Sequence, residues 1–220
     1  MKDIILDILE AGIETKRHCI ETNVDNIIKA ADMLASCIVS GNKVLIFGNG
    51  GSAADAQHLA AEFVNRFQIE RPPLAAIALT TDTSILTSIG NDYHFDEIFS
   101  KQIQALGKKG DIAWGISTSG NSPNVLKAVT AANKIGIATI GMTGRAGKLG
   151  DCADLVFAVE SDTTARIQET HIMLGHILCD LLERKLYPEE FFNYLNIFKI
   201  YSNFESMLII TQFISHRLCR

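Results

Sequence analysis

Five short apolar runs, separated by segments of helical periodicity, constrain this chain more than any other feature. The runs are Lys43–Phe47, Leu74–Leu79, Asp111–Ile116, Ile137–Gly141 and Leu155–Val159. Each is continuously apolar and not alternating, so each strand must be covered on both faces, as in a parallel sheet whose crossovers are helices. Helical segments fill the intervals, from about Ala53 to Phe67, Ser84 to Gly90, Phe95 to Leu106, Ser122 to Lys134 and Thr163 to Leu186, where Pro188 follows. The pattern predicts an α/β fold: a doubly wound, five-stranded parallel sheet flanked by helices. Residues 1–41 read as two N-terminal helices, the second carrying Ile27, Ile28, Ala31, Leu34, Cys37 and Ile38 at helical spacing. Ser40-Gly41-Asn42 stops it.

No repeat, low-complexity tract or linker interrupts residues 1–187, which are expected to form a single domain. Residues 188–220 are an aromatic C-terminal extension, with Phe191, Phe192, Tyr194, Phe198, Tyr201, Phe204 and Phe213, expected to dock as a helix or two. A length of 220 residues suffices for one such domain with a sizeable core.

The formal net charge is −5. A diffuse acidic balance argues against non-specific nucleic-acid binding and against docking on an anionic membrane, both of which need clustered Lys and Arg. A phosphorylated ligand must therefore be held by local backbone dipoles and hydroxyls. Cys19, Cys37, Cys152, Cys179 and Cys219 are scattered and never form a C-x-x-C pair, which reads as reduced thiols in a cytoplasmic protein. Acids within the first seven residues disfavour a signal peptide, and no apolar run reaches the roughly 18 residues of a membrane span.

Two loops are built to meet an anion. Gly48-Asn49-Gly50-Gly51-Ser52 joins the first strand to a helix, where glycines allow close backbone approach and the helix offers free N–H groups. Ser117-Thr118-Ser119-Gly120-Asn121-Ser122 repeats the arrangement after the third strand and adds four hydroxyls. Either loop alone also fits simple helix capping; together, at carboxyl ends of strands, they point to a phosphate site. A Walker loop is excluded by the lack of G-K-[ST]. A dinucleotide fingerprint, Gly48-x-Gly50-x-x-Ala53, lacks an acid about 20 residues on; Asp82 comes 29 residues after Ala53.

His58 and Glu62 are four apart and share a helix face. Gln168 and His176, eight apart on the last helix with His171 between them, share another, and Gly175 would admit a neighbouring helix closely. Imidazole, carboxylate and amide oxygen can bind a divalent metal, and Glu and His are common general bases and acids. Solvated polar faces show the same spacings, and spacing alone leaves both readings open.

The motifs Gly48–Ser52, His58-x-x-x-Glu62, Gly90-Asn91-Asp92, Ser117–Ser122 and Arg166-Ile167-Gln168-Glu169-x-His171, in this order, resemble the phosphoheptose isomerases of the sugar-isomerase (SIS) domain superfamily. The resemblance spans about residues 1–187. It implies an SIS-type, flavodoxin-like sheet and an isomerase interconverting sedoheptulose 7-phosphate and D-glycero-D-manno-heptose 7-phosphate, the first step toward the heptose of lipopolysaccharide or surface conjugates. It also implies a homotetramer with one zinc ion per subunit. Ser52, Ser117, Thr118, Ser119 and Ser122 would hold the phosphate. Asn49, Gly50, Gly51, Asn91, Asp92 and Gln168 would contact the sugar or shape its pocket. His58, Glu62, Gln168 and His176 would ligate zinc, with Glu62, which also meets the substrate, as base and His176 as acid. The alternative is a non-catalytic SIS binding module similar to the replication-initiator-associating protein, in which the positions of Glu62 and His176 lack ionisable groups.

Overall fold

The computed structural model describes residues 1–145, 147–192 and 194. Its elements, in chain order, are α1 (Lys2–Val39), β1 (Val44–Gly48), α2 (Gly51–Val64), β2 (Ala76–Ala78), α3 (Thr83–Asp92), a 3₁₀ turn (Phe95–Glu97), α4 (Ser100–Leu106), β3 (Ile112–Ser117), α5 (Pro123–Lys134), β4 (Ala138–Gly144), α6 (Leu149–Cys152), β5 (Leu155–Val159) and α7 (Thr164–Leu186). The five strands form one sheet in the order β2-β1-β3-β4-β5, and every neighbouring pair is parallel.

Alternate strand residues feed two cores. Val44, Ile46, Ile112, Trp114 and Ile116 pack toward α1, α2 and α7 with Leu34, Leu59, Leu174 and Leu178. Leu45, Phe47 and Ala113 pack toward α4 and α5 with Phe99, Ile103, Val125 and Val129. The continuous apolar runs thus arise because both strand faces are buried. From β1 the chain steps outward to β2, then returns to β3 on the other side of β1. The connections leaving β1 and β3 diverge, and the carboxyl ends of these two strands frame the crevice where open α/β sheets bind ligands.

Four expectations need correction. The N-terminal segment is one 38-residue helix, not two. Gly12 is its only candidate breaker, and an interior glycine costs only about 1 kcal/mol. That glycine is useful here: a side chain on it would come 3.4 Å from Glu169 Oε2 on α7, whose neighbour Arg166 donates to the Ile8 carbonyl at 2.7 Å. On the same helix Ile28 faces solvent at 48% exposure, whereas Ile27, Ala31, Leu34 and Cys37 are buried. The second strand is a short edge rather than a buried strand, with Ile77 39% exposed, because only β1 flanks it. The single helix expected from Phe95 to Leu106 divides into the 3₁₀ turn and α4.

Residues 188–192 are helical. Phe191 is buried, with the Arg184 guanidinium 3.9 Å from its ring centroid. The expectations for Phe198, Tyr201, Phe204 and Phe213 lie outside the described residues. Among the described residues no helix is long and apolar enough to cross a membrane, and Cys19, Cys37, Cys152 and Cys179 are free thiols.

Candidate active site

The first loop closes tightly on the sheet. A Cβ on Gly48 would lie 2.8 Å from the Ile116 carbonyl of β3, and Gly50 takes a φ of +55°, so both positions require glycine. Ser52 is buried in the first turn of α2. In the second loop the hydroxyls converge: Ser117 Oγ lies 2.9 Å from Ser122 Oγ and 3.4 Å from Ser119 Oγ. Ser119 Oγ also accepts from the Asn121 backbone N–H, and the Thr118 carbonyl accepts from Gly144 at the end of β4. Ser122 is the N-cap of α5, with Pro123 pre-set for the first helical position.

The two loops are tied to one another. Asn49 and Asn124 exchange reciprocal side-chain hydrogen bonds, both 2.8 Å, and Asn124 is buried. Its Oδ1 also accepts from the Val125 N–H. The reading of the sequence passed over Asn124; the available signal was a polar amide directly after Pro123, where a helix start leaves N–H groups unpaired.

Helices α2 and α7 bring the proposed chemistry together. A Cβ on Gly175 would come 2.5 Å from Leu59 Cδ2, so glycine permits the close crossing expected of it. This contact sets His58 against His176, their Nε2 atoms 2.8 Å apart and their rings edge to face. His58 Nε2 is also 3.4 Å from Glu62 Oε1. One donor atom from each of His58, Glu62 and His176 lies within 4.8 Å of the others. Two imidazoles and a carboxylate are a fitting donor set for a divalent ion such as zinc. Burial holds the His176 imidazole below its usual pKa, with His58 adding to the drop and Glu62 opposing it. The shift favours the neutral ring, the form that ligates a metal.

Gln168 lies against Gly51, where any side chain would meet its amide at 2.5 Å. Asn91 and Asp92 are exposed at the end of α3, joined by a 2.9 Å hydrogen bond. His171 is structural: it is buried, its Nε2 lies 3.0 Å from the Thr143 carbonyl, and desolvation holds its pKa down at about 4. Asp55, one turn before His58, is half-buried; burial pushes its carboxyl up to about 6, against a pull downward from His58.

The chain matches the SIS domain family over residues 9–144. It is 54% identical over 185 residues to a phosphoheptose isomerase of Nitratidesulfovibrio vulgaris, covering 84% of this chain and 89% of that one. Among solved structures it resembles the phosphoheptose isomerase GmhA of Neisseria gonorrhoeae, with TM-score 0.78, 45% identity, and coverage of 83% of this chain and 98% of that one. A phosphoheptose isomerase of Francisella tularensis gives TM-score 0.80 and 41% identity, covering 83% of this chain and 97% of that one.

Proposed function

This chain belongs to the phosphoheptose isomerases of the SIS-domain family and is an aldose–ketose isomerase; we propose that it interconverts sedoheptulose 7-phosphate and D-glycero-D-manno-heptose 7-phosphate, in the cytoplasm, as the first step of bacterial heptose biosynthesis. The observation that carries this reading is the convergence of His58 and Glu62, on the helix that begins at the first glycine loop, with His176 of α7. Gly51 and His58 are separated by about two helical turns, roughly 10 Å of axis. An extended seven-carbon chain is of comparable length, so a phosphate among Ser52, Ser117, Thr118, Ser119 and Ser122 leaves the carbonyl end of the sugar near the three side chains. A non-catalytic binding module has no need of such a group.

In this reading residues 1–187 are one sugar-isomerase domain. Asn49, Gly50, Gly51, Asn91, Asp92 and Gln168 contact or shape the sugar. The carboxylate of Glu62 takes a proton from C1 of the ketose, exchanges it with solvent at the enediolate stage, and delivers a proton to C2. The imidazole of His176 moves the proton between the two oxygens. His58, Glu62 and His176, with Gln168, would hold one zinc ion per subunit, and the ion would supply Lewis-acid stabilisation of the oxygen where charge develops. Incubating the purified protein with sedoheptulose 7-phosphate, with and without a chelator, tests the assignment: aldose forms in the untreated protein and its formation slows after chelation. No aldose under either condition overturns it.

Ser119→Ala removes one hydroxyl facing a charged phosphate, a loss of about 1.5–3 kcal/mol. The Michaelis constant is expected to rise accordingly with the turnover number little changed; an unaltered constant removes Ser119 from the phosphate site.

The assembly is proposed to be a homotetramer. Along the first turns of α1, Ile4, Ile5, Leu6, Ile8, Leu9 and Ile13 are 38–63% exposed, and α3 buries none of its residues fully. Apolar surface of this extent calls for cover. Light scattering at micromolar concentration is expected to give four times the chain mass, and a monomer contradicts it.

A further inference from the structure

Glu183 and Arg71 form a buried ion pair that the proton-transfer scheme does not use; they are only 1% and 8% exposed. The Arg71 Nε–Glu183 Oε1 distance is 2.9 Å. Every polar atom of the pair is engaged. The carboxylate accepts from the backbone N–H groups of Phe67, Gln68 and Ile69 at 2.9, 2.8 and 3.2 Å. Through Nη1 the guanidinium donates to the carbonyls of Phe63, Asn65 and Pro72, and through Nη2 to that of Glu62 at 2.7 Å. Arg71 thus satisfies carbonyls at the carboxyl end of α2, which no intrahelical N–H can reach, while Glu183 organises the connection that follows.

Such a pair is a poor device for stability alone, since well-packed apolar residues often serve as well. What it does specify is geometry. Glu183 lies seven residues after His176, so both occupy one face of α7. The segment that Glu183 gathers carries Phe67, whose ring stacks on the His176 imidazole with centroids 5.5 Å apart and planes 29° apart. The Nε2 of that imidazole meets His58, and one carbonyl held by Arg71 belongs to Glu62 itself.

We infer that Glu183 and Arg71 are positioning residues: they lock the 65–73 connection so that Phe67 holds the His176 imidazole toward His58 and Glu62. The inference rests on the reading of that group as the metal and acid–base site, and its variants leave the group's own side chains in place.

The test compares full-length wild type with Glu183→Gln and Phe67→Leu. Glutamine keeps the size of Glu183 and loses the charge matched to Arg71. Leucine leaves the pair and its hydrogen bonds intact and removes only the ring, so this variant should fold even if Glu183→Gln does not. In both, the turnover number and the zinc affinity, measured by competition with a chromogenic chelator, are expected to fall roughly tenfold, with the Michaelis constant within about twofold. Phe67→Tyr restores a ring and should restore both quantities. A merely structural role predicts a lower thermal midpoint with normal turnover and zinc affinity per folded molecule. Wild-type turnover and zinc affinity in Phe67→Leu overturn the inference while leaving the isomerase reading standing. A wild-type protein that neither turns over substrate nor binds zinc removes both.

Discussion

Replacing Glu62 by Gln is expected to lower the turnover number at least about 10²-fold, with little change in substrate binding. The amide keeps the outline and hydrogen-bonding reach of the carboxylate but cannot accept the carbon-bound proton of the ketose. Glu62 is well placed for that task. Its carboxylate lies 3.4 Å from His58, it is half-buried on α2, and its backbone carbonyl is fixed by Arg71. A polar surface residue would behave otherwise, since its replacement leaves rate unaffected. Steady-state kinetics on the purified variant distinguish the two, and near-normal turnover in Glu62→Gln removes the residue from the mechanism.

His176→Gln should lower the turnover number to a similar degree, about 10²-fold, and should also weaken zinc binding, because a ligand is lost. The neutral imidazole, which burial favours, can use one nitrogen as a ligand and the other as a proton donor. Glu62 and His176 act on one transition state, so the double variant should be scarcely slower than the worse single variant. Strictly multiplicative losses, measured as the turnover numbers of all four proteins, would mean that the two residues serve separate steps. Equilibrium dialysis with zinc supplies the independent readout: His176→Gln should bind less tightly than wild type, and unchanged affinity would take His176 out of the ligand set.

Much of the architecture is local and was therefore legible. β1, β3 and β5 fall within a residue of their expected bounds, since a doubly buried strand must be apolar throughout. β4 runs three residues past Gly141, because Met142, Thr143 and Gly144 still pair with Phe157, Ala158 and Val159 of β5; the glycine reads as a stop only when that partner is unknown. The reason for a small residue at Gly12 lies on α7, more than 150 residues away, so the sequence around it does not show that α1 runs on as one helix. The i,i+4 relation of His58 and Glu62 is visible in any helix wheel. Their meeting with His176 depends on how α2 crosses α7, and Gly175 hinted at the close approach without naming Leu59 as its partner. The Arg71–Glu183 pair gave no local signal, because it joins residues far apart in sequence whose polarity makes sense only once both are buried together.

The central claim is that a carboxylate on α2 carries a proton between C1 and C2 of a seven-carbon ketose phosphate. The most direct measurement is nuclear magnetic resonance of sedoheptulose 7-phosphate turned over by the protein in deuterium oxide. Proton abstraction to an enediolate predicts aldose bearing deuterium at C2, at a rate that falls at least about 10²-fold in Glu62→Gln. Aldose that forms with no solvent label at C2 and at an undiminished rate in Glu62→Gln, or no aldose at all, would contradict the account.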